Sequence, residues 1–342
     1  MASAPVKFAL VLAGGNALGA YHAGVYHALH EAGQEPDWIV GASAGAINGA
    51  VIAGNPPEER VARLRELWQP ADAHADAGWP VFPGETLRRS AAVMATLAAG
   101  RPGLFGPVGP LGSWWDPDAA AAAPALFDTR PMTSTLARLV DFERLNGGSP
   151  RYTAVAVDLE SGLEVQFDTR SQAIAPDHVR ASAAMLPAFP AVEIDGRAYV
   201  DGGLSANLPL DPVLGEPWEE PTLVVAVDLL PRATRRPATI GEAIARAQDL
   251  VFAGQSRRSI QRWQAVYALD QRLKSASVSL VRMAYADQEQ EVAGKGMDFS
   301  PESVRQRWDA GYRDASTVLE RLADGTIPLG REGLTVSSVE EH

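Results

Sequence analysis

Apolar residues fall in short blocks along this chain, and most blocks are closed by glycine. Lys7 to Ala13 is an unbroken apolar, β-prone run; the turn Gly14-Gly15-Asn16-Ala17-Leu18-Gly19 follows it, and Ala20 to Ala32 has helical composition up to Gly33. The motif then repeats. Asp37 to Val40 reads as a second strand, Gly41-Ala42-Ser43-Ala44-Gly45 as its turn, and a helix of small residues runs to about Ala53. Asn55-Pro56-Pro57 breaks that helix, and Glu58 to Trp68 begins another. Two successive strand-turn-helix units predict a parallel α/β sheet with right-handed crossovers.

Residues 70 to about 127 interrupt this regularity. They mix Pro, Gly and Ala with Trp79, Phe82, Phe105, Trp114 and Trp115 around one helical stretch near Thr86 to Ala99, and read as an insertion. Its aromatics would either pack a satellite core or cover an apolar channel. Patterning returns with a helix near Met132 to Val140, strands at Thr153 to Asp158 and Leu163 to Asp168, and a helix near His178 to Ala184. Ala191 to Asp201 reads as a hairpin turning at Asp195-Gly196. A strand at Thr222 to Asp228, helices around Ile240 to Lys274, a strand at Ser277 to Ala284 and a helix from Pro301 to Ala323 complete the pattern. We therefore expect a first domain over 6–230, a mainly helical carboxy-terminal region over 231–325 that supports a lid or a dimer, and a disordered tail over 326–342.

Composition narrows the function. A net charge of -12 disfavours a nucleic-acid partner, which needs a dense basic surface. It also disfavours constitutive attachment to anionic lipid, while transient contact with a membrane surface and homo-oligomerisation stay compatible with it. The absence of cysteine excludes disulfides and thiol catalysis, and the six histidines show no metal-binding spacing, so neither metal nor cofactor is expected. No apolar run reaches the ~18 residues of a spanning helix and no leader is evident, which makes a cytoplasmic protein the default expectation.

The candidate chemistry starts at Ser43. A G-x-S-x-G pentapeptide between an apolar strand and a small-residue helix is the setting of a nucleophile elbow, with Gly41 and Gly45 making room for the tight turn. The amino end of the following helix would favour negative charge developing beside the serine. A serine hydroxyl needs a base. His22, His27 and His30 precede Ser43 on the first helix, His74 and His178 precede the candidate acid, and His342 ends the chain, so no histidine completes a Ser-Asp-His order. His22 could face the site and His178 could pack beneath it; both also suit core or surface roles. Asp201, at the end of an apolar strand and followed by Gly202 and Gly203, is the alternative base, although Asp-Gly is also a common turn. The turn at Gly14 to Gly19 could be a dinucleotide fingerprint, but Asn16 stands where a glycine must admit the pyrophosphate. An oxyanion hole fits better, with Gly15 and Asn16 as leading donors and Gly14 and Ala44 as further candidates.

Taken together, Gly14 to Gly19, Gly41 to Gly45 and Asp201-Gly202-Gly203 resemble, in order and spacing, the three motifs of the patatin-like phospholipase family. Ala181 to Pro187, Phe189-Pro190, Ile194-Asp195-Gly196 and Asn207-Leu208-Pro209 are similar to the family's segments around its Asp-Gly-Gly strand. Asn16 and Leu18 depart from its usual glycine and arginine, and Leu18 removes a charge that could hold an anionic head group. Gly296 to Ser300, Arg307-Trp308 and Ala310-Gly311-Tyr312 resemble a bacterial subgroup with an extra carboxy-terminal region. The resemblance implies a three-layer α/β/α fold and a Ser43–Asp201 dyad without histidine. It also implies cleavage of lipid or short acyl esters through an acyl-enzyme, with a weakly active acyl-binding scaffold as the alternative.

Overall fold

The computed structural model describes residues 6–69, 84–108, 124–286 and 288–339. The first half runs β1 (Lys7–Leu12), α1 (Ala20–Glu31), β2 (Trp38–Ala42), α2 (Ala44–Ala53), α3 (Pro57–Trp68), α4 (Glu85–Ala99), β3 (Gly106–Pro107), β4 (Phe127–Asp128), α5 (Arg130–Leu139), α6 (Phe142–Asn146), β5 (Arg151–Asp158) and β6 (Glu164–Asp168). The second runs α7 (Pro176–Ser182), β7 (Val192–Ile194), β8 (Arg197–Asp201), α8 (Gly203–Ala206), α9 (Asp211–Leu214), β9 (Thr222–Asp228), α10 (Ile240–Leu269), α11 (Gln271–Lys274), β10 (Ser277–Ala284), α12 (Pro301–Ala323) and β11 (Gly333–Val339). Short 3-10 turns occupy Asn16–Gly19 and Lys295–Met297.

One mostly parallel sheet has the order β11-β10-β9-β1-β2-β5-β8-β7, with β6 also paired to β5. Neighbours from β11 to β5 are parallel; β8, β7 and β6 join antiparallel. Strand order reverses at β1, because the chain moves to β2 and β5 on one side and returns through β9 and β10 on the other. At such a reversal the loops leaving adjacent strands diverge and open a crevice at their carboxyl ends. The Gly14 to Gly19 turn and Ser43 leave β1 and β2 at that point.

Strand alternation divides the core into two layers. Phe8, Leu10 and Leu12 of β1 join a buried cluster with Tyr21, Val25 and Leu29 of α1, whereas Ala9, Val11 and Ala13 join Leu208, Val213, Leu214 and Tyr267 on the other face. Helices therefore cover both faces of the sheet, as expected. The hairpin β7–β8 also forms as expected, with Asp195 at φ 52° and Gly196 at φ 76° in its turn.

The tail is a correction. Residues 333–339, expected to be disordered, form β11 and pair in parallel register with β10 from Ser277–Gly333 to Met283–Val339. Leu334 and Val336 pack against the second core layer, so a short alternation with few apolar residues still gains burial at the edge of a formed sheet. In the insertion, Phe105 packs against Phe127, Phe189 and Phe299 at centroid distances of 5.1, 4.9 and 5.9 Å. Trp79, Phe82, Trp114 and Trp115 lie outside the described residues.

α12 is pressed against α1 with no room for a methyl group at two crossings. A Cβ on Gly24 would lie 1.9 Å from the Trp308 carbonyl oxygen, and one on Gly311 would lie 2.1 Å from that of Tyr21. Trp308 Nε1 donates to His27 Nδ1 at 3.3 Å across the same contact. Gly24→Ala or Gly311→Ala is expected to lower stability by about 1–3 kcal/mol through overpacking, read as a lower urea midpoint at unchanged slope; wild-type midpoints in both variants would refute the close contact.

Candidate active site

Ser43 sits between β2 and α2 with φ 56° and ψ -123°, a strained conformation for a non-glycine residue. The flanking glycines are required by contact. A Cβ on Gly41 would lie 2.4 Å from the Gly45 carbonyl, and one on Gly45 would lie 2.1 Å from the Leu12 carbonyl oxygen. The half-buried Ser43 turns its N–H inward, where it donates to the Ser182 carbonyl at 3.0 Å and to Ser182 Oγ at 3.2 Å.

β5 brings Asp201 to this serine. It lies between β2 and β8, with Val155 opposite Ala42 on one side and Ala156 opposite Asp201 on the other. Asp201 has no solvent exposure. Its Oδ1 accepts the Gly203 N–H at 2.7 Å, while Oδ2 is buried without a hydrogen-bond partner. Burial pushes the carboxyl up to about 7, against the opposing influence of the Ser43 hydroxyl and the Gly203 N–H. The hydroxyl thus acts on the carboxylate while remaining outside good hydrogen-bond geometry. Gly202 is also fixed by contact, since a Cβ there would lie 2.2 Å from the Val155 carbonyl oxygen; one on Gly203 would lie 2.9 Å from Asp201 Oδ1.

Ser182 was not singled out by the sequence. Its carbonyl accepts both the Ser43 N–H and, at 3.3 Å, the Gly202 N–H, and its hydroxyl donates to the Val155 carbonyl at 2.6 Å. One residue on α7 therefore ties the serine turn to the aspartate turn through β5. Asn207 does the same for the glycine turn, accepting the Gly14 N–H at 2.9 Å through its carbonyl and donating from Nδ2 to the Gly14 carbonyl at 3.1 Å.

That clamp corrects the expectation for Gly14. Its N–H is spent on Asn207 and is not free for an oxyanion; a Cβ at Gly14 would also lie 3.1 Å from Ser43 Cβ, so the residue serves close approach. Among the described residues the N–H groups of Gly15 and Asn16 have no intramolecular partner, and Ala44 is the first residue of α2, whose N–H lies ahead of the helix ladder. Asn16 adopts φ 51°, which asparagine tolerates, and its side chain turns to the Met297 sulfur at 3.4 Å. Gly19 lets Trp68 and Ala44 close on the turn, at 2.8 and 2.9 Å from a notional Cβ.

Neither His22 nor His178 is hydrogen-bonded to Ser43 or Asp201. His22 is fully buried in the core with its pKa lowered to about 3 by burial, and its Nδ1 lies 3.4 Å from Asn48 Nδ2. His178 caps α7 by accepting the Ala175 N–H at 2.9 Å and meets Phe167 edge to face. His74 and His342 fall outside the described residues. Among those described, no group of three or more acidic or histidine side chains could hold a metal ion.

Two cavities meet at Ser43. One, of about 250 Å³, is bounded by Gly15, Met185, Asn207, Gln248, Phe252 and Met297; the other, of about 30 Å³, is apolar and lies under Trp68, Phe105 and Phe299.

Comparison with known proteins gives this arrangement its family. The model of the patatin-like phospholipases matches residues 10–214, spanning all three glycine motifs. The chain belongs to the patatin-like phospholipase family. A second model, described as patatin phospholipase, matches residues 240–324. Uncharacterised NTE family proteins of Mycobacterium bovis and Mycobacterium tuberculosis are 27% identical over 213 residues, which cover 62% of this chain and 47% of theirs. The chain thus spans about half the length of the curated relatives it matches. Among solved structures, VipD from Legionella pneumophila aligns with a TM-score of 0.47 at 16% identity over 92% of this chain and 67% of that one. The type III effector protein ExoU aligns with a TM-score of 0.37 at 16% identity over 93% and 54%.

The second matched region of this patatin-like chain roofs the first. Gly296 passes 3.6 Å from the Gly15 carbonyl oxygen, measured from its notional Cβ. The fully buried Arg307 donates to the carbonyls of Asp298 at 2.7 Å, Lys295 at 3.1 Å and Ala17 at 3.3 Å, while Glu291 pairs with its other edge at 2.8 Å. The Gly14 to Gly19 turn and the 295–298 turn consequently share one guanidinium.

The raised pKa of Asp201 carries a stability consequence. A carboxyl at about 7 in the folded chain and near 3.8 when unfolded favours folding while protonated, and that contribution is lost as pH rises between those values. Asp201→Asn is expected to be more stable than wild type at pH 8, by up to about 4 kcal/mol, with the gap closing towards pH 4. Equal urea midpoints for the two proteins at pH 8 would contradict a buried, strained charge.

Proposed function

We propose that the chain is a lipid acyl hydrolase in which Ser43 is the nucleophile and Asp201 its general base. The observation that carries this reading is the half-buried Ser43 on its strained turn beside a buried carboxylate whose one oxygen lacks a partner. Membership of the patatin-like phospholipase family supports the reaction class. Asp201 takes the proton of the Ser43 hydroxyl as its oxygen attacks the ester carbonyl. The oxyanion gathers at the N–H groups of Gly15, Asn16 and Ala44, beside the amino end of α2. Collapse of the intermediate passes the proton from Asp201 to the departing alcohol and leaves an acyl group on Ser43. Water enters the larger cavity, gives a proton to Asp201 as it attacks, and the acid leaves as Ser43 is reprotonated. No cofactor or metal is needed for either half of this sequence.

In the same reading, residues 6–230 form the hydrolase domain and 231–325 brace it. Among the described residues no helix is long and apolar enough to cross a membrane. The substrate is taken as a lipid or shorter acyl ester that reaches the crevice by diffusion or by transient contact with a membrane surface.

The test is labelling and turnover. A fluorophosphonate is expected to label the wild type and not Ser43→Ala, and Asp201→Asn is expected to lose at least ~100-fold in kcat/KM on p-nitrophenyl esters. Because the base must be ionised, kcat/KM should fall tenfold per pH unit below about 7 and level off above it. Retained turnover in Asp201→Asn would remove the dyad, and absence of labelling would favour an acyl-binding scaffold.

A further inference from the structure

The smaller cavity at Ser43 is narrow and lined almost wholly by apolar side chains. Trp68, Leu104, Phe105, Met132, Phe189 and Phe299 are each exposed by 8% or less, and the half-buried Ser43 and Asn16 complete the lining on its polar side. On the measure by which one water needs about 10–15 Å³, its 30 Å³ holds roughly two or three heavy atoms. The larger cavity is open and carries Asn207, Gln248 and Lys295 on its walls.

These two spaces are unequal in what they admit. An alcohol must leave after the first step and water must enter for the second, so both need the open cavity. The part of the substrate that stays on Ser43 between the steps suits the small apolar one. A polar group would be stranded there without a partner, whereas a short hydrocarbon chain would be sheltered from water.

One wall is supplied by the region of the chain after residue 240. Phe299 stacks on Trp68 at 6.4 Å with 11° between the rings, and meets Phe105 edge to face at 5.9 Å. Arg101 lies 5.6 Å from its ring centroid on a further side. Its neighbours in sequence are fixed: Asp298 Oδ1 accepts the Ser300 N–H at 3.0 Å, and the Asp298 carbonyl accepts from Arg307. This is a wall set in a hydrogen-bonded frame.

We infer that the carboxy-terminal region acts as an acyl-length gauge, in which Phe299 bounds the slot at Ser43 and restricts the enzyme to esters whose acyl group has roughly two to four carbons. The inference rests on the proposed role of Ser43 as acyl carrier. It assigns Phe299 to specificity and gives the region matched over 240–324 a task at the site.

The experiment compares p-nitrophenyl acetate, butyrate, octanoate and palmitate with wild type, Ser43→Ala, Phe299→Ala and the milder Phe299→Leu and Met132→Ala, each first checked for a cooperative thermal transition. Wild type is expected to favour acetate and butyrate over octanoate by at least roughly tenfold in kcat/KM. Enlarging the slot is expected to raise the octanoate-to-butyrate ratio by at least roughly tenfold in whichever variants fold. Ser43-dependent turnover that favours octanoate or palmitate in the wild type, or a chain-length profile unmoved in every folded variant, would overturn the gauge and leave the hydrolase standing. Absence of any Ser43-dependent turnover would overturn the hydrolase and the gauge together.

Discussion

One carbonyl oxygen holds the two halves of the site in register. Ser182 accepts an N–H from the serine turn and another from the aspartate turn, and its own hydroxyl is anchored on β5, the strand that separates them. A hydrogen bond of this kind contributes only about 1 kcal/mol net, yet leaving either N–H buried and unmet would cost more. The arrangement also explains the crowding around it. Gly41, Gly45 and Gly202 each bring backbone against backbone at distances that admit no side chain, so the turns cannot drift apart or closer without breaking either a contact or a bond.

The second constraint is the burial of charge. Asp201 is held where its ionised form is disfavoured, with one oxygen satisfied by Gly203 and the other buried without a hydrogen-bond partner. Elsewhere charge is buried in compensated form. Arg307, Glu291, Arg89 and Asp298 share a cluster in which Arg89 lies 2.9 Å from Glu291 and 3.7 Å from Asp298. Such a cluster is weak evidence of net stability because each ion loses its hydration, but removing one member strands the rest. It therefore fixes geometry, here that of the 295–298 turn against Ala17.

The sequence disclosed what is local. The strands at 222–228 and 277–284 and the helix at 301–323 stand where period and breakers put them, because each is delimited by its own residues. The glycine motifs were legible because glycine is demanded wherever backbones touch, whatever they touch. Long-range partners left no such mark. Gly14 read as a donor because nothing nearby reveals that Asn207, 193 positions away, takes its N–H. Ser182 looked like any small residue at a helix end. Asn16 stood out as a departure from glycine, but the partner of its side chain, Met297, is supplied only by the folded chain. β11 escaped notice for a related reason: its alternation is too brief to specify a strand until β10 offers an edge.

The bond from Arg307 to Ala17 closes a loop of 290 residues. Closing so long a loop orders a great deal of chain before any contact rewards it, and such contacts form late in folding. The Gly14 to Gly19 turn thus acquires its brace only when distant parts of the chain have met. A chain cut after the third glycine motif would keep Ser43, Asp201 and the whole Gly14 to Gly19 turn, and would still lack the guanidinium that bonds to Ala17.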